Sequence, residues 1–168
     1  MTVVVDTNVI LVANGQHKDV SPDCEADCAL RLQSIMLDDR IALDDAFEIL
    51  LEYQNKTRPK TGNRPGDAFV KWALKNNANT KRCDLVSLQR HPKRLYESFP
   101  DDVRLANFDP PDRMFVAVAA AHEERPPILQ AADSKWLDWE PALTDHGITV
   151  EFLCPADIQR FHKNKFGQ

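Results

Sequence analysis

Four acidic residues in separate parts of the chain have the types and spacing of a metal site. Asp6 follows three consecutive valines, and Asp133 follows a second apolar stretch late in the chain. Asp112 opens an alanine-rich helical pattern, and Glu52 lies inside another helical pattern. Carboxylate oxygens are the ligands that Mg²⁺ and Mn²⁺ prefer, and crowded carboxylates persist only beside positive charge. If the fold brings these residues together, they predict a bound divalent ion and chemistry on a phosphate.

The order of the secondary-structure elements predicts that the fold does bring them together. Helical patterns separate four short apolar runs, each predicted to be a strand: residues 3–5, 40–43, 127–132 and 148–153. No tight hairpin signal interrupts this order, which favours parallel β-α units. In a parallel sheet the strand ends and the starts of the following helices lie at one edge, where ligands bind. Asp6, Asp112 and Asp133 are therefore predicted at that edge, with Glu52 close enough to reach it.

Three local signals predict helix starts. Ser21, which precedes a proline, combines a hydroxyl cap with proline at the first helical position. Asp45 and Glu48, three residues apart before an apolar stripe, predict a capping box. Asp109, also followed by proline, is predicted to cap the helix that carries Asp112 in its first turn.

A basic middle segment contrasts with an acidic remainder. Between Lys56 and Arg94 the chain has eleven Lys or Arg and two acids, although the whole chain carries a net charge of −5. Solubility requires only a modest net charge of either sign, so the segment predicts contact with a polyanion. The alternative is a solvated surface.

The length and the cysteines indicate an ordinary globular chain. Its 168 residues suffice for one domain with a core of its own. Cys24, Cys28, Cys83 and Cys154 are scattered, which predicts structural thiols rather than a disulfide scaffold, and zinc would require a second close pair. The chain has no run of 18 apolar residues and no signal-peptide pattern, so we expect a cytoplasmic protein without membrane contact.

Four segments together resemble the PIN domain family. They are VVDTN at 4–8, LLEY at 50–53, DRMFVAVA at 112–119 and ILQAAD at 128–133. The segment FLCPADI at 152–158 is similar to the family's closing strand, proline and last helix. The resemblance covers residues 1–54 and 107–160. It implies a single PIN-like domain over residues 1–168, built as three α/β/α layers around a mainly parallel sheet of four to five strands, with a basic insertion at about 55–106.

The resemblance also implies an activity, that of a metal-dependent endoribonuclease. On this basis Asp6, Asp112 and Asp133 hold one or two Mg²⁺ or Mn²⁺ ions, and Glu52 binds the metal or orients its water. All four are thus predicted to be catalytic and metal-binding residues. Polar neighbours are predicted to support them: Thr7, Asn8, Asp109 and Glu48. Two residues before the fourth acid, where the family usually has Thr or Ser, this chain has Ala131.

RNA is the partner that the resemblance implies for the basic segment. Lys and Arg would contact phosphates, and Tyr53, Trp72 or Tyr96 would be available to stack on bases. The predicted nucleic-acid-binding residues are Arg58, Lys60, Arg64, Lys71, Lys81, Arg82, Lys93 and Arg94. The resemblance further implies a homodimer and, for a toxin of a toxin–antitoxin module, an inhibitory partner protein.

Three other functions are consistent with parts of the sequence pattern. A silent PIN fold would bind RNA or protein without cleaving either. A Mg²⁺-dependent phosphatase of the haloacid type also begins with a strand and an aspartate, but it needs a second aspartate where this chain has Asn8. A receiver domain clusters acids around Mg²⁺ too, but it needs adjacent acids soon after its first strand and a later lysine, and the corresponding residues cannot be placed in this sequence.

Overall fold

A five-stranded parallel sheet forms the centre of the molecule, and helices cover both of its faces. The computed structural model describes residues 1–166. In chain order the elements are β1 (Thr2–Val5), α1 (Thr7–Ala13), α2 (Pro22–Asp38), β2 (Arg40–Asp44), α3 (Glu48–Lys56), α4 (Pro65–Asn76), β3 (Cys83–Val86), β4 (Arg90–His91), β5 (Leu95–Tyr96), α5 (Arg113–Ala121), β6 (Ile128–Gln130), α6 (Lys135–Asp145), β7 (Val150–Phe152) and α7 (Pro155–Phe166). Over residues 1–166, no helix combines the length and the apolar character needed to cross a membrane.

β1 is the central strand, and its position determines where Asp6 lies. The strand order is β3-β2-β1-β6-β7, and all neighbouring strands are parallel. Every residue of β1 is buried, as expected for a strand covered on both faces. These features confirm the predicted three-layer α/β fold, with five strands in the sheet. Because Val5 of β1 lies opposite Leu129 of β6, the chain segments that carry Asp6 and Asp133 leave adjacent strand ends.

The basic segment contributes to the sheet itself. The sequence leaves residues 84–89 open between a strand and a short helix, and the structure has an edge strand there, β3, parallel to β2. Earlier in the segment, α4 packs against α1 and α2. Residues 55–106 therefore complete one edge of the sheet as well as carrying surface charge.

A hairpin that no sequence signal predicts lies at residues 90–96, where β4 and β5 pair antiparallel in a separate two-stranded sheet. The connecting turn lacks the Asn-Gly or Gly-containing pairs that usually signal a hairpin. Instead, the His91 ring accepts hydrogen bonds from the backbone N–H groups of Lys93 and Arg94, at 3.2 and 3.0 Å. Leu95 adopts the left-handed conformation with φ of 73°. A side chain thus stabilises a turn that the residue types alone do not indicate.

The start of α3 also differs from its prediction, because the capping box of Asp45 and Glu48 does not form. β2 continues through Asp44, whose carboxylate accepts hydrogen bonds from the backbone N–H groups of Glu48 and Ile49, at 2.8 and 2.9 Å. These N–H groups belong to the first turn, which has no partners within the helix. The aspartate at the strand end therefore caps the helix in place of its neighbour.

The other two predicted helix starts have different outcomes. Ser21 caps α2 as predicted, with its Oγ accepting from the N–H of Cys24 at 3.2 Å. Asp109 makes no cap bond, because Pro110–Asp112 form a short 3-10 turn before α5 begins. The Asp109 carboxylate instead accepts a hydrogen bond from the Lys135 ammonium at 2.8 Å.

A disulfide joins Cys24 and Cys154, which corrects the prediction that the cysteines are structural thiols. The two residues are 130 positions apart, so spacing along the chain gives no indication of the pairing. The tertiary fold decides it, because the start of α7 lies against α2. The remaining cysteines, Cys28 and Cys83, are free and buried.

Candidate functional site

Asp6 lies at the carboxyl end of β1 and is almost fully buried, with 3% of its surface exposed. One carboxylate oxygen, Oδ2, accepts hydrogen bonds from the N–H of Asn8 at 3.0 Å and from Nε2 of Gln130 at 2.9 Å. The other, Oδ1, is buried without a hydrogen-bond partner. Burial, followed by the charge of Asp112, raises the pKa of Asp6 well above its usual value. An ionised Asp6 therefore needs a nearby cation, and Oδ1 has lone pairs free to bind one.

Three further aspartates meet at the same edge of the sheet. One carboxylate oxygen from each of Asp109, Asp112 and Asp133 lies within 4.8 Å of the others. Burial, followed by the charges of Asp133, Glu52 and Asp109, raises the pKa of Asp112 to about 7. The pKa of Asp133 is also raised, chiefly by burial. Mutual repulsion of this kind is what a divalent cation would relieve.

Glu52 on α3 is held by Thr7 and lies near enough to Asp112 for its charge to raise the pKa of that residue. The Thr7 hydroxyl donates to Glu52 Oε2 at 2.5 Å. In the next position along α3, the Tyr53 hydroxyl donates to the carbonyl oxygen of Val5 at 2.5 Å. Burial, followed by the charges of Asp6 and Glu52, raises the pKa of Tyr53, which keeps the phenol protonated as a donor. These two bonds fix the distance between α3 and the end of β1.

Gln130 is a site residue that the sequence predictions missed. It is fully buried in β6, and its amide connects two of the acids, because Nε2 donates to Asp6 and Oε1 accepts from the N–H of Asp133 at 3.2 Å. Asn8 adds a parallel link, with Oδ1 accepting from the N–H of Ala132 at 2.8 Å. The signal that could have found Gln130 is one amide side chain at the end of an otherwise apolar strand. The two amides hold the loop that carries Asp133 against the start of α1.

Lys135 is a second residue that was missed. Its ammonium binds Asp109 at 2.8 Å, and its backbone N–H donates to Asp133 Oδ1 at 3.2 Å. The hydrogen bond to Asp109, followed by the negative charge around it, raises the pKa of Lys135. A lysine two residues after the last acid therefore neutralises part of the charge of the cluster.

Comparisons with known proteins add no identification. No family model, no curated protein and no solved structure matches the chain. The resemblance to PIN domains therefore stays a prediction.

Glu48, predicted to support the acids, contacts the hairpin instead. Its carboxylate accepts hydrogen bonds from the Arg90 guanidinium and from the Tyr96 hydroxyl. The two tyrosines predicted to stack on bases cannot do so, because Tyr53 and Tyr96 are 1% and 5% exposed. Trp72 is half-buried, and the Arg82 guanidinium lies 5.4 Å from the centre of its ring.

The eight predicted nucleic-acid-binding residues fall into two groups. Arg64, Arg82 and Arg94 use their guanidinium groups to bind backbone carbonyl oxygens of the protein. The other five are exposed and make no ion pair within residues 1–166: Arg58, Lys60, Lys71, Lys81 and Lys93.

Arg58 and Lys60 lie on the loop between α3 and α4, which Asp67 organises. The buried Asp67 carboxylate accepts from the N–H groups of Arg58 and Arg64, at 2.9 and 3.3 Å, and from the Asn14 amide at 3.1 Å. A polar cavity of about 530 Å³ lies beneath the loop. The loop therefore has a defined shape and presents its cations outward.

Proposed function

We propose that this protein is a metal-dependent endoribonuclease that hydrolyses RNA with one or two Mg²⁺ or Mn²⁺ ions. The observation that carries the proposal is the buried Asp6 oxygen without a partner, in a carboxylate close enough to Asp112 and Asp133 for their charges to raise its pKa. The oxygens of Asp112 and Asp133 in turn cluster with one from Asp109. The donors are all oxygens, which suits hard cations that bind phosphates and argues against zinc or copper.

The acids have two roles in this proposal, cation binding and proton transfer. Asp6, Asp112 and Asp133 would hold the cation, which when bound supplies Lewis acidity and neutralises charge on the scissile phosphate. Glu52 would take the proton of the attacking water on Oε1, because Thr7 holds its other oxygen. Gln130 and Asn8 would keep Asp6 and the Asp133 loop at a fixed separation.

The ion pair between Lys135 and Asp109 favours a second candidate, a silent RNA-binding module. An ammonium beside the cluster supplies positive charge that would otherwise come from a metal ion. Lys135 also fits the active enzyme, since a lysine next to a metal site can contact a substrate phosphate. Cleavage assays separate the two candidates, and p-nitrophenyl phosphate tests the phosphatase alternative in the same experiment.

The deciding experiment is RNA cleavage with added Mn²⁺ or Mg²⁺, repeated after chelation with EDTA. We expect endonucleolytic products from a panel of single-stranded and structured RNAs, no products in EDTA, and recovery when Mn²⁺ is returned in excess. The matched variants are Asp133→Asn, expected to be inactive, and Asp101→Asn, a carboxylate with 90% of its side chain exposed, expected to be fully active. Cleavage that persists in EDTA or in Asp133→Asn, or no cleavage by any form, would contradict the proposal.

RNA binding by the α3–α4 loop gives a separate prediction. Replacing Arg58 and Lys60 with glutamine should weaken RNA affinity and reduce the slope of log affinity against log salt by about 1 for each phosphate that the loop no longer neutralises. Lys75→Gln is the matched control, because Lys75 lies in the last turn of α4, about 15 Å along that helix from the loop. Fluorescence anisotropy with labelled RNA measures both effects. An unchanged slope in the double variant would assign these cations to a solvated surface.

Three predictions remain. A homodimer and, if the enzyme is a toxin, an inhibitory partner protein depend on the resemblance alone, whereas a cytoplasmic location is expected from the sequence composition. Light scattering of the purified protein tests the first directly.

A further inference from the structure

Three cysteines meet between α2 and α7, and none of them belongs to the proposed acidic site. Cys24 and Cys154 share the disulfide, and the sulfur of Cys28 lies 3.8 Å from that of Cys154. Each of the three residues is at most 3% exposed. Cys24 and Cys28 are one helical turn apart on α2, so both side chains lie on the same face of that helix. A third sulfur is therefore in contact with an existing disulfide.

Polar contacts hold α7 against α2 independently of that disulfide. Asp157, in the first turn of α7, accepts from the N–H of Ser21 at 2.6 Å and from its hydroxyl at 2.8 Å. Ser21 is also the cap of α2, and Arg160 pairs with the same aspartate. Breaking the disulfide thus leaves Cys154 next to both cysteines of α2.

We propose that these residues form a thiol–disulfide exchange site, in which Cys154 is shared by two alternative disulfides. In the exchange, the Cys28 thiol loses its proton and its sulfur bonds to the sulfur of Cys154. The bond between Cys154 and Cys24 breaks with its electron pair on Cys24, which takes up a proton. One disulfide and one thiol are present before and after, so the exchange needs no oxidant. Either disulfide ties α7 to α2.

The first disulfide forms from the reduced protein by reaction with a small-molecule disulfide such as oxidised glutathione. Two protein thiols give up two electrons and two protons, and oxidised glutathione becomes two molecules of reduced glutathione. Burial, followed by the charges of Asp27 and Asp157, raises the pKa of Cys28 to about 12. The thiol is therefore protonated at neutral pH and exchange is slow, which allows acid to trap both states.

The test maps disulfides in the folded, full-length protein after equilibration with reduced and oxidised glutathione. Samples are quenched in acid, alkylated and digested with a protease that cleaves after Glu25, which separates Cys24 from Cys28. We expect both linkages, Cys24–Cys154 and Cys28–Cys154, in the wild type. Cys24→Ser and Cys28→Ser should each retain one disulfide per chain, Cys154→Ser should lose it, and Cys83→Ser is the matched control with wild-type mapping.

Three results would overturn the proposal. The first is a wild type that carries only the Cys24 linkage at equilibrium, and the second is a folded Cys24→Ser variant with both remaining thiols free. The third is a wild type without any disulfide that retains one equivalent of zinc, which would make the three sulfurs metal ligands. The wild-type measurement stands by itself if a variant fails to fold.

Discussion

Replacing Asp6 with asparagine is expected to lower RNA cleavage on the order of 1000-fold and to stabilise the metal-free protein. The loss of activity follows because the buried carboxylate has one oxygen free for a cation, and electrostatic groups of this kind are each worth several kcal/mol in the transition state. The gain in stability follows because an amide needs no counterion. Asparagine caps helices as well as aspartate does, so α1 should keep its start.

Single-turnover cleavage and chemical unfolding measure the two effects of Asp6→Asn on the same preparation. We expect a higher free energy of unfolding without metal, because the variant no longer buries a charge beside Asp112 and Asp133. The exposed-carboxylate variant Asp101→Asn controls for charge alone. If Asp6→Asn unfolds more easily than the wild type, or cleaves at the wild-type rate, Asp6 is a structural cap rather than a metal ligand.

The metal-free protein is expected to lose stability as the pH rises from about 4 to about 7. The pKa of Asp112 is about 7 in the folded protein and near its ordinary value of 3.8 when unfolded. Between these values the folded state binds more protons than the unfolded state, so raising the pH favours unfolding. The contribution of Asp112 lowers the free energy of unfolding by about 4 kcal/mol across this range. For a chain of this size, that is a drop in Tm of about 8–16 °C between pH 4 and pH 8. Asp84 and Asp157, whose pKa values are lowered, change stability below this window.

Mn²⁺ should reverse the loss of folding stability at high pH. A ligand at 100 times its Kd stabilises the folded state by about 2.7 kcal/mol, and the gain should be larger at about pH 8 than at about pH 5, because protons compete for the carboxylates. Asp112→Asn should reduce the pH dependence, leaving the part due to the raised pKa values of Asp6 and Asp133, and should remove most of the shift with Mn²⁺. Asp101→Asn should retain the full pH dependence and the full shift. Thermal unfolding of the wild type and both variants across pH, with and without Mn²⁺, measures the pH dependence of Tm and the shift that Mn²⁺ causes. A Tm that is independent of pH, or an equal Mn²⁺ shift in Asp112→Asn, would show that the acids do not act as a unit.

Local patterns predicted most of the strands and helices that position the acidic residues. Three consecutive valines before Asp6 predict a buried strand, and strands that alternate with helices pair in parallel. Parallel pairing places strand ends and helix starts at one edge, so the meeting of Asp112 and Asp133 follows from element order without knowledge of packing. The capping hydroxyl of Ser21 is similarly local, because the serine and its helix are adjacent in the chain.

Local patterns could not predict contacts between residues far apart in the chain. Gln130 connects Asp6 to Asp133 across two strands, and Glu48 contacts the hairpin at Arg90 and Tyr96. In both cases the residue type permits several partners, and only packing selects one. The hairpin was missed because a histidine side chain stabilises its turn in place of glycine or asparagine.

Periodicity and element order were enough to predict that β1 is buried, that the sheet is parallel and that acids lie at its carboxyl edge. Three other features became visible only in the folded molecule: an Asp6 oxygen without a partner, the ion pair of Lys135 with Asp109, and the meeting of three cysteines between α2 and α7. Those features depend on side-chain distances of a few ångströms between segments up to 130 residues apart. Such distances are set by how the helices pack on the sheet, which no local spacing encodes.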